Sequence, residues 1–176
     1  MVTLTFDTSC INAKGNNREL NELETRQREG LIQIVSGTSV EEELLQPDRE
    51  PFRTQRLSKF NNYDDVDAGY WVLDYSRLGI STIPDDESIA QEMEEIAHVL
   101  FPQCPWQRLN KNQIRDVMVL HTHLTHKRDV FVTLNTKDFI GREQAKRELL
   151  KEKFGILVMT PQEAVAYVRD AIALNQ

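Results

Sequence analysis

The chain is short of cysteine: only Cys10 and Cys104 occur among 176 residues. Two thiols make no disulfide framework, and reduced cysteines of a cytoplasmic protein are the simpler reading. Long hydrophobic runs are also missing. None approaches the roughly 20 residues a membrane helix needs, so no membrane partner is expected. The opening MVTLTFDTSC has neither a basic region nor a long apolar stretch, and does not read as a secretion signal. Seven glycines and six prolines, without internal repeat or low-complexity tract, argue against a fibrous or disordered chain. Positive charge is lacking overall: 28 acidic residues face 21 basic ones, a net charge of -7. That disfavours a nucleic-acid coat driven by bulk charge but leaves a nuclease open, because local charge decides docking. No GxxxxGK[ST] or GxGxxG loop is present, so the usual nucleotide-loop signatures are absent.

What remains is an ordinary globular composition, 40% hydrophobic and 28% charged. The length suits one domain, or one domain with a sizeable insertion, able to bury a core without staples. Charge is uneven along it. Glu41–Glu50 and Asp85–Glu95 are acidic, whereas basic residues gather at Arg108, Lys111 and Arg115 and again from Lys137 to Lys153. Two such basic segments could hold a polyanion beside a metal; taken singly, each reads as a solvated helix face.

Periodicity then organises the chain. VTLTF at 2–6 alternates and is β-branched, which predicts a strand running into Asp7-Thr8-Ser9. A helix over roughly 17–29 closes at Gly30, and Leu31–Val35 forms a second strand. Ser39 and Glu42 have capping-box spacing, predicting a short helix over 40–45. Residues 46–87 are punctuated by Pro47, Pro51 and Pro84, with Tyr70–Leu73 as a short strand; about 46–105 is assigned to an insertion or lid. Ile89, Met93, Ile96, Ala97 and Leu100 recur at helical spacing up to Pro102. A further helix begins near Asn112, with Ile114, Val117, Leu120 and Leu124 on its buried side. A strand at 129–134, a loop at 135–139, a charged helix over 142–153 stopped by Gly155, and a last strand at 156–159 follow. Thr160-Pro161-Gln162-Glu163 then starts a final helix reaching about Leu174. Strands alternating with helices predict an α/β fold: three layers, α/β/α, around a mainly parallel sheet.

In open sheets of this kind, ligands bind beyond the carboxyl ends of the strands. Asp7 ends the first strand. Glu42 and Glu43 open the helix after the second. Asp116 is placed in the first turn of the helix before the 129–134 strand, and Asp138 follows that strand with Asn135 between. Clustered carboxylates resist joint ionisation, and a divalent cation relieves them. All-oxygen donors favour Mg²⁺ or Mn²⁺ over Zn²⁺. Such ions support hydrolysis of a phosphate ester without a protein nucleophile. Each carboxylate also has a plain structural alternative, as a cap, a turn residue or a favourable first-turn charge.

Two stretches carry a family likeness. LTFDTSCINA at 4–13 resembles the opening strand and Asp-Thr-Asn/Ser turn of PIN-domain nucleases. VFVTLNTKDF at 130–139 is similar to their strand followed by Thr-x-Asn-x-x-Asp-Phe. Asp116 precedes Thr133 by 17 residues, close to that family's separation, and FGILVMTPQEAV at 154–165 resembles its last strand and helix. The likeness covers the first 45 residues and about 110–176; residues 46–105 have no counterpart in it. It implies a single PIN-like domain over 1–176. Asp7, Asp116 and Asp138 would be its first, third and fourth acidic ligands. Glu42, with Glu43 as the alternative, would be the second. Ser9, Thr133 and Asn135 would be the ordering polar groups, and Arg115, Lys137 and Arg142 weaker phosphate contacts. The implied activity is Mg²⁺- or Mn²⁺-dependent cleavage of single-stranded RNA. A toxin with an antitoxin partner, and a homodimer, are implied by the same analogy. An inactive module of the same fold, binding RNA or protein, is the alternative; a small-molecule phosphoesterase is a third reading. A haloacid-dehalogenase-type phosphatase is disfavoured because Ser9 stands where its second Asp belongs.

Other features read as structural. His121, His123 and His126 form no zinc set at about 100° per residue and are expected at the surface. Cys10 is expected as a small buried residue. Tyr70, Trp71 and Trp106 are expected as packing groups, with base stacking as the alternative.

Overall fold

The structure, a computed structural model, describes residues 1–13, 17–37, 66–67 and 87–174. Strands β1 (Val2–Phe6), β2 (Ile32–Gly37), β3 (Val66–Asp67), β4 (Val130–Val132) and β5 (Val158–Met159) form one sheet in the order β3-β2-β1-β4-β5. Every strand pair is parallel. Helices are α1 (Thr8–Asn12), α2 (Arg18–Arg28), α3 (Glu87–Leu100), α4 (Lys111–Thr125), α5 (Thr136–Phe139), α6 (Ala145–Phe154) and α7 (Pro161–Ala173). The fold is therefore the expected three-layer α/β/α arrangement. Helices α2 and α7 pack together on one side, while α3 packs on α4 and α6 on the other.

The centre of the sheet explains its hydrophobic runs. In β1, Leu4, Thr5 and Phe6 are all fully buried, as are Val130, Phe131 and Val132 of β4. A parallel strand covered on both faces needs apolar residues at successive positions rather than alternation. Phe131 stacks at a tilt on Phe139, with ring centroids 5.0 Å apart, so the core reaches from the sheet into α5.

The helices begin and end where local chemistry dictates. Asn17 caps α2 by accepting from the Leu20 N–H, and Gly30 follows at φ +72°. Reciprocal capping boxes start α4, from Asn110 and Gln113, and α7, from Thr160 and Glu163. The stop at Gly155 is a left-handed residue at φ +71°.

Several boundaries differ from the sequence reading. Residues 135–139, expected as a loop, contain the helical turn α5. Asn135 nucleates it by accepting from the Asp138 N–H. Helix α4 begins at Lys111 and has no acidic residue in its first turn, so Asp116 lies in the second. Residues Arg142–Gln144 form a short 3-10 turn in which Glu143 and Gln144 have positive φ, and this kink ahead of α6 breaks the single helix expected over 142–153. The described end of the 46–105 stretch belongs to the core: Met93, Ile96, Ala97, Val99, Leu100 and Phe101 are buried. The predicted 40–45 helix and Tyr70–Leu73 strand lie outside the described residues.

Candidate functional site

The strand order reverses between β1 and β4: the chain builds outward from β1 through β2, then returns to β1's other side. The carboxyl ends of such a strand pair open a crevice, the usual ligand position in parallel sheets. Asp7 follows β1 and Thr133 follows β4, so the two residues flank this point. The register confirms their adjacency, because Phe6 pairs with Val132 and the Asp7 N–H donates to the Val132 carbonyl at 3.0 Å.

Asp7 is 3% exposed, and its carboxylate does not cap the helix it precedes. Instead Oδ2 accepts from two hydroxyls, Ser9 Oγ at 2.5 Å and Thr133 Oγ1 at 2.8 Å. Both hydroxyl protons are thereby committed to Asp7. Their oxygens accept in turn from backbone: the Leu134 N–H reaches Ser9 Oγ at 2.9 Å, and the Asn135 N–H reaches Thr133 Oγ1 at 2.9 Å. The loop backbone thus orients the hydroxyls, and the hydroxyls orient the carboxylate. Bonds to a charged acceptor are among the stronger ones, so Asp7 is held in one rotamer at the crevice.

The same loop fixes Asp138. Asn135 Nδ2 donates to Asp138 Oδ2 at 3.0 Å, and the Asp138 N–H returns a bond to Asn135 Oδ1 at 3.3 Å. Five expected site residues, Asp7, Ser9, Thr133, Asn135 and Asp138, therefore form one connected polar chain across two strand ends. Asp116, half-buried on α4, reaches the same neighbourhood through its field on Lys146. Burial pushes the Lys146 ammonium below the usual lysine range; Asp138 raises it, Lys137 lowers it and Asp116 raises it. Lys146 is the functional candidate that the sequence reading left inside a basic run. Its signal was the spacing that turns it back over α5, which needed the kink at 143–144 to be known.

Of the expected phosphate contacts, Lys137 and Arg142 are exposed on and just after α5, while Arg115 is half-buried beside Asp116. Glu42 and Glu43 lie outside the described residues. Oxygen donors are the chemistry a hard divalent ion takes, and Asp7 and Asp138 supply them here. Among the described residues, however, no three His, Cys, Asp or Glu side chains gather closely enough to hold an ion. The described carboxylates match the ion by donor type alone.

The histidines overturn their expected surface placement. His121 and His123 are 2% and 1% exposed; of the three on α4 and its end, His126 is the exposed one. The reason is that α4 is covered twice, by the sheet and by α3. His123 points at the sheet, edge-on to Phe131 at 5.7 Å, with Nδ1 2.8 Å from Thr5 Oγ1. Arg128 donates to that same Thr5 oxygen at 3.3 Å, and the direction of the Thr5–Nδ1 bond follows the imidazole tautomer. Burial lowers the His123 pKa to about 4. His121 turns to α3, with Nε2 2.8 Å from Glu92 Oε2. Burial lowers its pKa, and the Glu92 carboxylate opposes that shift. Cys10 is buried as expected, its thiol donating to the Val132 carbonyl at 3.3 Å; burial and the Asp7 charge raise its pKa, which leaves it a poor nucleophile. Trp106 packs half-buried against the core.

Compared with known family models, curated proteins and solved structures, the chain finds no match in any of the three. No described helix is long and apolar enough to cross a membrane.

Proposed function

We propose that the chain is a metal-dependent ribonuclease of the PIN type, hydrolysing phosphodiester bonds in single-stranded RNA. One observation carries the reading: the hydrogen-bonded chain from Asp7 through Ser9 and Thr133, and from Asn135 to Asp138, at the switch point of a parallel sheet. Asp7 is buried and oriented by two hydroxyls rather than spent on capping the helix it precedes, which supports a carboxylate placed for a ligand at the crevice. The sequence likeness supplies the ligand's class. Asp7, Asp116 and Asp138, with Glu42 or Glu43, would hold Mg²⁺ or Mn²⁺. A bound divalent ion supplies Lewis acidity, making water a better nucleophile and offsetting charge that develops on the phosphodiester. The chain's own part is positional. Ser9 and Thr133 fix Asp7, Asn135 fixes Asp138, and Arg115, Lys137 and Arg142 supply cationic contacts for backbone phosphates. An antitoxin partner and a homodimer belong to the same reading by family analogy.

The test is incubation of a labelled single-stranded RNA pool with the chain in Mn²⁺ and in EDTA. Cleavage in Mn²⁺ alone supports the assignment; none in either, from folded protein, contradicts it.

A second reading has its own observation. The described residues by themselves form no three-ligand metal group, which favours an inactive module of the same fold that binds RNA. That module would bind labelled RNA equally well in Mn²⁺ and EDTA and leave it intact.

A further inference from the structure

Lys146 stands on α6, on an exposed helix, yet turns inward. Its own N–H donates to the Ile140 carbonyl at 3.1 Å, closing the chain back over the end of α5. Its stem lies against Gly141, where an added Cβ would fall 2.9 Å from Lys146 Cγ. Its ammonium stands 5.7 Å from the centre of the Phe101 ring, within cation–π range. Its Nζ donates to the carbonyl of Lys137 at 3.3 Å, the residue immediately before Asp138. A lysine seeking only solvent would forgo all of these contacts. Three elements, α3's end, α5 and α6, converge to hold one positive charge, and the carboxylates of Asp138 on α5 and Asp116 on α4 both act on it electrostatically.

We propose that Lys146 is a resident counter-ion of the acidic edge: its ammonium, fixed between Phe101 and the Lys137 carbonyl, offsets Asp138 and Asp116 and opposes entry of a divalent cation there. This rests on the reading of Asp116 and Asp138 as metal ligands. The physical ground is that a fixed positive charge lowers the cost of holding two carboxylates ionised in a half-buried place. The same charge repels an incoming cation. Lys146 is thus a positioning residue, one that sets how tightly the site takes its metal.

The two roles a lysine can have here predict opposite signs. If Lys146 only props the turn bearing Asp138, losing it loosens a ligand and weakens metal binding. If it is a counter-ion, losing its charge tightens metal binding. Calorimetric titration of Mn²⁺ into the full chain, without RNA, reads the difference for wild type, Lys146→Met, Lys146→Arg and Asp116→Asn, with melting curves for each. The expected result is binding severalfold tighter in Lys146→Met, unchanged in Lys146→Arg and weaker in Asp116→Asn. Wild-type binding that Asp116→Asn weakens but Lys146→Met leaves equal or weaker would overturn the counter-ion role alone. Absence of Mn²⁺ binding in every folded variant would overturn the metal-site reading and this role with it. Should Lys146→Met fail to fold, Lys146→Gln is titrated in its place, and misfolding of both makes the lysine a structural prop and overturns the proposal.

Discussion

The Thr133 hydroxyl donates to Asp7 Oδ2 at 2.8 Å while accepting the Asn135 N–H at 2.9 Å. One oxygen therefore joins the end of β4, the end of β1 and the loop that carries Asp138. Thr133 is fully buried, so water cannot replace either bond. Thr133→Val keeps the shape and removes the hydroxyl. It should cost about 1–3 kcal/mol of stability, because a buried acceptor and a backbone donor both lose a partner. Thr133→Ser should recover most of that. Chemical denaturation of the three proteins checks the order; equal midpoints for Val and wild type would contradict it.

His123 makes stability depend on pH. In the unfolded chain an ordinary histidine protonates near pH 6.5, whereas the folded His123 does so at about 4. Above pH 6.5 both states are neutral and the residue contributes no pH dependence. Below it the unfolded state takes the proton first, so stability falls as pH drops from about 6.5 to about 4, then levels off. The full loss is about 3 kcal/mol. His123→Gln removes the titrating group. Its stability, measured at pH 7.5 and pH 4, should fall less than the wild type's by about that amount. Parallel losses would remove His123 as the cause.

Two glycines share a left-handed backbone but differ in surroundings. Gly155, at φ +71°, has no atom within 4 Å of an added Cβ; Gly141, at φ +76°, has Lys146 Cγ at 2.9 Å. Gly155→Ala should cost about 1–2 kcal/mol, the strain of the left-handed region alone. Gly141→Ala adds a collision with the Lys146 stem and should cost more. Melting temperatures rank them; a ranking of Gly155→Ala as the worse substitution would contradict the packing described here.

Most of the architecture was legible because the parallel sheet writes itself plainly: β1 is an alternating, β-branched stretch, β4 a continuous apolar run, and Thr160-Pro161-Gln162-Glu163 announces α7. The grouping of Asp7, Asn135 and Asp138 was legible too, since strand ends in this fold class converge; Ser9 and Thr133 were indicated by the family likeness alone. Burial of His121 and His123 was not. Nothing in the spacing of α4 tells that the preceding helix α3 covers its second side, and His123 is buried against Thr5, 118 residues away in sequence. Lys146 was hidden for a related reason. Its inward turn depends on Glu143 and Gln144 adopting positive φ, a conformation unusual for those residues. Asn135 offers a milder case: it was read in a loop, but its side chain makes that loop a helical turn.

Asp7 is proposed to hold a metal for RNA hydrolysis. The most direct measurement is the rate at which wild type and Asp7→Asn cleave one labelled single-stranded RNA in saturating Mn²⁺. Asn keeps the shape and most hydrogen-bonding capacity of Asp but removes the charge. The expected rate for Asp7→Asn is lower by a factor on the order of 100 or more, with a melting curve that still shows a cooperative fold. Equal rates for the two proteins would contradict it.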